Sequence, residues 1–153
     1  MNKTFIQIRR RGDGKYELGG ISPLPLYNRS RIKKTDVVIV CEGERCVHAL
    51  HTVGIVATTK PCGGQAPDKA DWEPLYGKTV VLWPDNDEKG IKYMESVRAL
   101  LIPHCKVKWI DPAKYELPDK GDAYDWVYGN CKNPDGTINK QMAKLPVEEA
   151  TDC

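Results

Sequence analysis

The chain has 153 residues, of which 41% are hydrophobic and 29% charged, values typical of a single globular domain with a buried core. No apolar run approaches the roughly 20 residues of a membrane-spanning helix, and the amino terminus lacks the apolar segment of a signal peptide, so we expect a cytoplasmic protein with no membrane partner. The net charge of +2 is uneven, because residues 1–36 hold nine basic and three acidic side chains while the remainder is acidic.

Residues 1–35 are predicted to form a basic N-terminal hairpin and connector. Two alternating segments within residues 5–18 flank an Asp-Gly dipeptide, which favours a tight β-turn. The connector that follows is rich in glycine and proline, and a short helical turn is expected at 27–33.

The basic side chains of this N-terminal segment are candidates for binding nucleic acid. A positively charged surface attracts a polyanion and can steer it toward an acidic, metal-filled site. The alternative is a solvated charged face with no ligand. The candidate residues are Arg9, Arg10, Arg11, Arg29, Arg31, Lys33 and Lys34.

Residues 36–129 are predicted to form an α/β core. Strands and helices alternate along this segment, which predicts a mostly parallel four-stranded sheet flanked by helices. Residues 130–153 are predicted to be a polar C-terminal tail, either partly disordered or folded as a short hairpin and helix. The predicted strands are 36–41, 55–59, 79–83 and 105–110, and the predicted helices are 44–53, 68–76, 88–102 and 121–129.

Two acidic clusters directly follow buried strands of this core. Glu42-Gly43-Glu44 follows the strand at 36–41, and Asp85-Asn86-Asp87 follows the strand at 79–83. The carboxyl ends of parallel strands form the crevice where α/β sheets bind ligands. Carboxylates gathered there repel one another unless a cation neutralises them, so the sequence predicts a Mg²⁺ or Mn²⁺ site made by Glu42, Asp85 and Asp87.

A purely structural interpretation of the same residues stays open. Glu42 and Glu44 carry charge that suits a helix N-terminus, and Asp85-Asn86-Asp87 has the composition of an N-cap for the helix at 88–102. The six cysteines contain no Cys-x-x-Cys pair, so a zinc site is not expected.

The order of these motifs resembles the toprim domain. Val37-Val38-Ile39-Val40-Cys41-Glu42-Gly43-Glu44 and Val80-Val81-Leu82-Trp83-Pro84-Asp85-Asn86-Asp87 are similar to the acidic motifs in the toprim segments of phage and plasmid primase–helicases. Lys120-Gly121-Asp122 and Asp125-Trp126 are similar to the end of such segments. The resemblance spans about residues 16–128 and implies a Rossmann-like toprim fold preceded by the N-terminal hairpin.

The resemblance also implies chemistry. It assigns Glu42, Asp85 and Asp87 as catalytic and metal-binding residues in phosphodiester formation or cleavage, most similar to primer synthesis in DNA replication. Possible outer contributors are Glu44, Asp122, Asp125 and Lys120. The implied partners are DNA or RNA and a polymerase or helicase domain or subunit.

One position departs from the family pattern and leaves alternatives open. Toprim sequences commonly place an aspartate four residues after the first glutamate, where this chain has Cys46. A non-catalytic module that binds nucleic acid or a protein partner, and a small toprim nuclease, are therefore the alternatives to a primase. A haloacid-dehalogenase-like phosphatase is disfavoured, because its Asp-x-Asp motif follows the first core strand rather than the third.

Overall fold

The computed structural model describes residues 6–62 and 65–153, and its core is a five-stranded sheet. The strands are β1 (Ile8–Arg10), β2 (Tyr16–Leu18), β3 (Leu24–Pro25), β4 (Val37–Cys41), β5 (Ala57–Thr58), β6 (Ala70–Asp71), β7 (Thr79–Trp83), β8 (Lys106–Trp109) and β9 (Thr151–Asp152). The helices are α1 (Arg29–Ile32), α2 (Glu44–Thr52), α3 (Glu88–Leu101), α4 (Ala123–Asp125), which continues as a π-helical turn (Trp126–Asn130), and α5 (Lys140–Glu148).

The main sheet is mostly parallel, as predicted. Its strand order is β5-β4-β7-β8-β9, in which the first four strands are parallel and β9 is antiparallel. The central pair, β4 and β7, is in register along its whole length, from Val37 opposite Thr79 to Cys41 opposite Trp83. Both central strands therefore end at the same level.

Alternate side chains of the central strands pack on opposite faces of the sheet. Ile39 and Val81 belong to a core cluster with α2, α4 and the C-terminal segment. Val38 and Val80 belong to a second cluster with α1 and α3. A strand buried on both faces reads as a continuous apolar run, which explains why both central strands were recognisable in the sequence.

Two predictions about the periphery need correction. The sheet has a fifth strand, because β9 pairs with β8, whereas four strands were predicted. Residues 68–76 are two short 3₁₀ turns, Pro67–Lys69 and Glu73–Leu75, separated by β6. Short strands and single turns carry too few residues for a periodic pattern, so the sequence could not show them.

The C-terminal segment packs on the core. Ala143 in α5 is fully buried and Ala150 is nearly so, and both belong to the cluster on the α2 side of the sheet. The predicted helix in this segment is thus present as α5. The division of the chain at residues 35 and 129 stays a prediction.

The N-terminal hairpin is confirmed. Strands β1 and β2 pair antiparallel with Ile8 opposite Leu18 and Arg10 opposite Tyr16, and the predicted start of the hairpin at residue 5 lies outside the described residues. The helical turn expected at 27–33 is α1. Among the helices that the structure describes, none is long and apolar enough to cross a membrane.

Candidate functional site

The sheet brings the two acidic clusters, Glu42-Gly43-Glu44 and Asp85-Asn86-Asp87, together at the carboxyl ends of its central strands. We call this end of the sheet the acidic edge. Glu42 follows the last residue of β4, and Asp85 lies two residues after the end of β7. Because Cys41 and Trp83 are paired across these strands, the two loops leave the sheet side by side. Gly43 has a φ of 80°, a left-handed conformation that favours glycine, and its N–H donates to Thr59 Oγ1 at 3.1 Å. This fixes the turn that directs Glu42 away from the strand.

Glu42 and Asp85 are electrostatically coupled. Burial raises the pKa of Glu42, the charge of Asp87 raises it further, and a hydrogen bond from the Asp85 backbone N–H opposes the rise. Burial also raises the pKa of Asp85 to about 7, with further increases from Glu42, Asp122 and Asp87 and a decrease from Arg45. Carboxylates that repel one another in a partly buried site are ready to bind a cation.

Asp87 has a structural role at the start of α3. Its side chain caps the helix by accepting a hydrogen bond from Gly90 N at 2.7 Å. The capping interpretation of this residue is therefore correct. The cap uses Oδ1 and leaves the second oxygen of Asp87 for another contact, so its predicted role in metal binding stays a prediction.

The loop before α4 reaches the same edge. Asn86 N donates to Gly121 O at 2.8 Å, and Lys120 N donates to Asn86 O at 3.1 Å. Asp122 and Asp125 then form a capping box, in which each side chain accepts from the other residue's backbone N–H, at 3.0 and 3.1 Å. Asp122 thus caps α4 and also contributes to the raised pKa of Asp85.

Arg45 was missed as a site residue by the sequence analysis. One of its guanidinium nitrogens lies 3.0 Å from Asp122 Oδ2 and 4.0 Å from Asp125 Oδ1. The guanidinium carbon also lies 4.2 Å from the centroid of the Tyr124 ring. The only sequence signal was its place three residues after Glu42, because nothing before folding indicates that α2 faces the loop before α4.

The remaining predicted contributors, Glu44 and Lys120, lie at the margin of the site, and Cys46 lies inside the core. Glu44 and Lys120 are exposed, and the contact of Lys120 with the loop after β7 is the backbone hydrogen bond that it donates to Asn86 O. Cys46 is buried, and its hydrogen bond with the Cys41 thiol, together with burial, raises the pKa of Cys41. The position where toprim sequences commonly have an aspartate therefore faces the apolar core here.

The residues present suit a hard divalent ion with an incomplete protein shell. Within residues 6–62 and 65–153, no group of three or more His, Cys, Asp or Glu side chains forms a preformed metal cage. Mg²⁺ keeps several waters and is commonly held by one or two carboxylates together with substrate phosphates. Glu42 Oε1 is buried and has no hydrogen-bond partner among the described residues, so it is the oxygen best suited to such an ion.

A cleft of about 750 Å³ opens beside the acidic edge. Gly43, Glu44, Thr59 and Lys60 line it, together with residues from the hairpin and the loop after β5. Its volume lies within the range of small-molecule sites in proteins.

The basic candidates divide into paired and unpaired side chains. Arg9 and Arg11 form ion pairs with Glu17 inside the hairpin, and Arg29 lies 3.3 Å from Asp71. Arg10 is exposed and forms no ion pair in the described part of the chain. The other candidates, Arg31, Lys33 and Lys34, are exposed in or directly after α1.

The raised pKa of Asp85 predicts a pH-dependent stability. In the folded protein the Asp85 carboxyl stays protonated up to about pH 7, whereas in the unfolded chain it loses its proton near pH 3.8. The stability that protonated Asp85 contributes is therefore complete below pH 3.8 and is lost as the pH rises to about 7. We expect the urea midpoint of the metal-free native protein to fall over this interval relative to that of Asp85→Asn, because only the native protein carries the Asp85 carboxyl. Parallel pH profiles for the two proteins would contradict the assignment.

Comparisons with known proteins give structural similarity without close sequence relatives. No protein-family profile and no curated protein sequence matches the chain. One similar solved structure is described as bacteriophage T7 lagging-strand DNA polymerase interacting with primase domains of two gp4 subunits bound to an RNA/DNA hybrid and dTTP. The match has a TM-score of 0.65 and 20% identity and covers 97% of this chain and 72% of that chain.

A second similar structure comes from a bacterium. It is the Aquifex aeolicus primase, comprising zinc-binding and RNA polymerase domains, with a TM-score of 0.64 and 17% identity. The match covers 95% of this chain but 36% of that one. At these identities the comparisons establish the fold, which this chain shares with primase structures from a phage and a bacterium.

Proposed function

We propose that this chain is a toprim-type, metal-dependent nucleic-acid enzyme domain, most similar to a primase that synthesises primers in phage or plasmid DNA replication. The observation that carries the proposal is the coupled pair Glu42 and Asp85 at the carboxyl edge of the sheet, with the pKa of Asp85 raised to about 7. The shared fold with primase structures supports the choice of nucleic acid as substrate.

Each acidic residue has a distinct role in this proposal. Glu42 and Asp85 would hold Mg²⁺ or Mn²⁺, which supplies positive charge to orient and neutralise phosphate oxygens. The alternative role for Glu42 is that of a general acid or base, to which its carboxyl is suited because burial and the charge of Asp87 raise its pKa when no metal is bound. Asp87 caps the start of α3. The in-register pairing of β4 and β7 holds Glu42 and Asp85 side by side.

The partners follow from the same reasoning. A DNA or RNA strand would approach over the basic N-terminal segment, and the cleft beside Gly43 and Glu44 has room for a nucleotide. One similar structure contains primase domains together with a polymerase. We therefore propose a polymerase or helicase domain or subunit as the protein partner.

A nucleotide-incorporation assay tests the reaction. The purified chain is incubated with single-stranded DNA, the four ribonucleoside triphosphates and Mg²⁺ or Mn²⁺, and products are separated by length. Short oligonucleotides made only with metal support a primase, whereas shortened DNA indicates the nuclease alternative. Salt-dependent binding without either product indicates the non-catalytic module.

Arg10 provides a test of the basic segment that leaves the ion pairs of the hairpin intact. Removing one phosphate contact reduces the slope of log affinity against log salt by about 0.7 for a single strand and about 0.9 for a duplex. We expect Arg10→Gln to show this reduction in a fluorescence titration with DNA. Lys92→Gln is the matched control, because Lys92 lies outside the basic segment and pairs with Glu88. Equal slopes for the native chain and Arg10→Gln would show that Arg10 makes no phosphate contact and belongs to a solvated charged face.

A further inference from the structure

Arg45 is bound into the acidic edge by three contacts. Its guanidinium donates to Asp122 at 3.0 Å, lies 4.0 Å from Asp125 and is stacked above Tyr124 at 4.2 Å. The Asp122 side chain is mostly buried, whereas the Arg45 side chain is 62% exposed. An arginine held by two carboxylates and an aromatic ring has a defined position even at a surface.

The position of this cation relative to the other charges is informative. The negative charge of Asp122 raises the pKa of Asp85, and the positive charge of Arg45 lowers it. Both charges are therefore close enough to act on the Asp85 carboxyl. Arg45 therefore neutralises the carboxylates on its side of the acidic edge, those of Asp122 and Asp125. The opposite side has Glu42, whose Oε1 is buried without a hydrogen-bond partner in the described residues.

We propose that Arg45 takes the place of a cation at Asp122, so that the chain binds a single divalent ion, confined to the Glu42 and Asp85 side of the edge. Arg45 is then a positioning residue that sets where the ion binds and how many ions are bound. This inference rests on the proposed metal-dependent function.

Mn²⁺ binding measured by electron paramagnetic resonance tests the inference without any activity assay. Arg45→Met removes the charge and keeps an unbranched side chain to pack on Tyr124. With the competing cation gone, we expect Mn²⁺ to bind about tenfold more tightly and a second ion to bind at Asp122. Arg45→Lys, which retains the charge, should bind a single ion with nearly native affinity.

A second substitution separates this role from a structural one. Asparagine is also a good N-cap, so Asp122→Asn preserves the start of α4. In the native background we expect Asp122→Asn to weaken Mn²⁺ binding severalfold, because Arg45 then lies beside the site without its main counter-charge, whereas in Arg45→Met it should abolish the gain and the second ion. Arg29→Met, which breaks the Arg29–Asp71 pair elsewhere on the surface, is the control and should leave Mn²⁺ binding unchanged.

The outcomes distinguish this inference from the proposed function. Equal or weaker Mn²⁺ binding by Arg45→Met, with binding still lost in Asp85→Asn, overturns the role of Arg45 and leaves the metal site standing. Mn²⁺ binding that appears only in Arg45→Met overturns the inference, because the native chain would then lack the single ion assigned to Glu42 and Asp85. Failure of both the native chain and Arg45→Met to bind Mn²⁺ overturns the metal site and the inference together.

Discussion

Glu42→Gln and Asp85→Asn are each expected to lower metal-dependent primer synthesis by about a thousandfold or more. A bound divalent ion contributes several kcal/mol of charge stabilisation in phosphoryl transfer, and each 1.4 kcal/mol corresponds to about tenfold in rate. Both substitutions preserve side-chain size and remove one of the two charges that would hold the ion. The measurement is the rate of oligonucleotide synthesis at saturating nucleotide, with Mn²⁺ binding determined in parallel.

The matched control for these variants is Glu44→Gln. Glu44 is exposed in the first turn of α2, two residues from Glu42. It also lines the cleft proposed for a nucleotide, so its loss is expected to change nucleotide affinity more than the rate at saturating nucleotide. We expect its loss to reduce the rate far less, because an exposed carboxylate is hydrated and needs no cation. Full activity of both Glu42→Gln and Asp85→Asn would show that the reaction uses a different site.

Gly90→Ala is expected to destabilise the fold by about 2 kcal/mol and to impair metal binding. In an ordinary helix this change would stabilise by up to about 1 kcal/mol. Here the added methyl would lie 2.8 Å from both the Cβ and the carbonyl oxygen of Asp85 and 3.0 Å from its backbone nitrogen. Those atoms belong to the loop that carries the carboxylate, so overpacking must displace either α3 or Asp85.

Urea unfolding and Mn²⁺ binding measure the two consequences separately. Gly129→Ala is the control, because a Cβ at Gly129 would meet no atom within 4 Å. It should unfold at nearly the native urea concentration and bind Mn²⁺ normally. A Gly90→Ala protein with native stability and native Mn²⁺ affinity would mean that the loop after β7 can move without consequence for the site.

The sequence predicted the centre of this fold because its central strands are buried on both faces. Residues 37–41 and 80–83 are unbroken apolar runs, and α3 follows a clear helical periodicity. Those three elements, with the acidic residues directly after each strand, were enough to predict where Glu42 and Asp85 lie. They were not enough to predict β9, whose two residues are both exposed.

Only the tertiary structure shows which carboxylates of the acidic edge are paired with Arg45. The sequence by itself determined that carboxylates follow two buried strands, because an apolar run and the acidic residues after it form a local pattern. The strand order of the folded sheet then decided that β4 and β7 are neighbours, which places those ends together. It could not show that α2 faces the loop before α4, which joins Arg45 to Asp122 across 77 residues of sequence. A contact between distant segments depends on how elements pack, and no local pattern of residues records it.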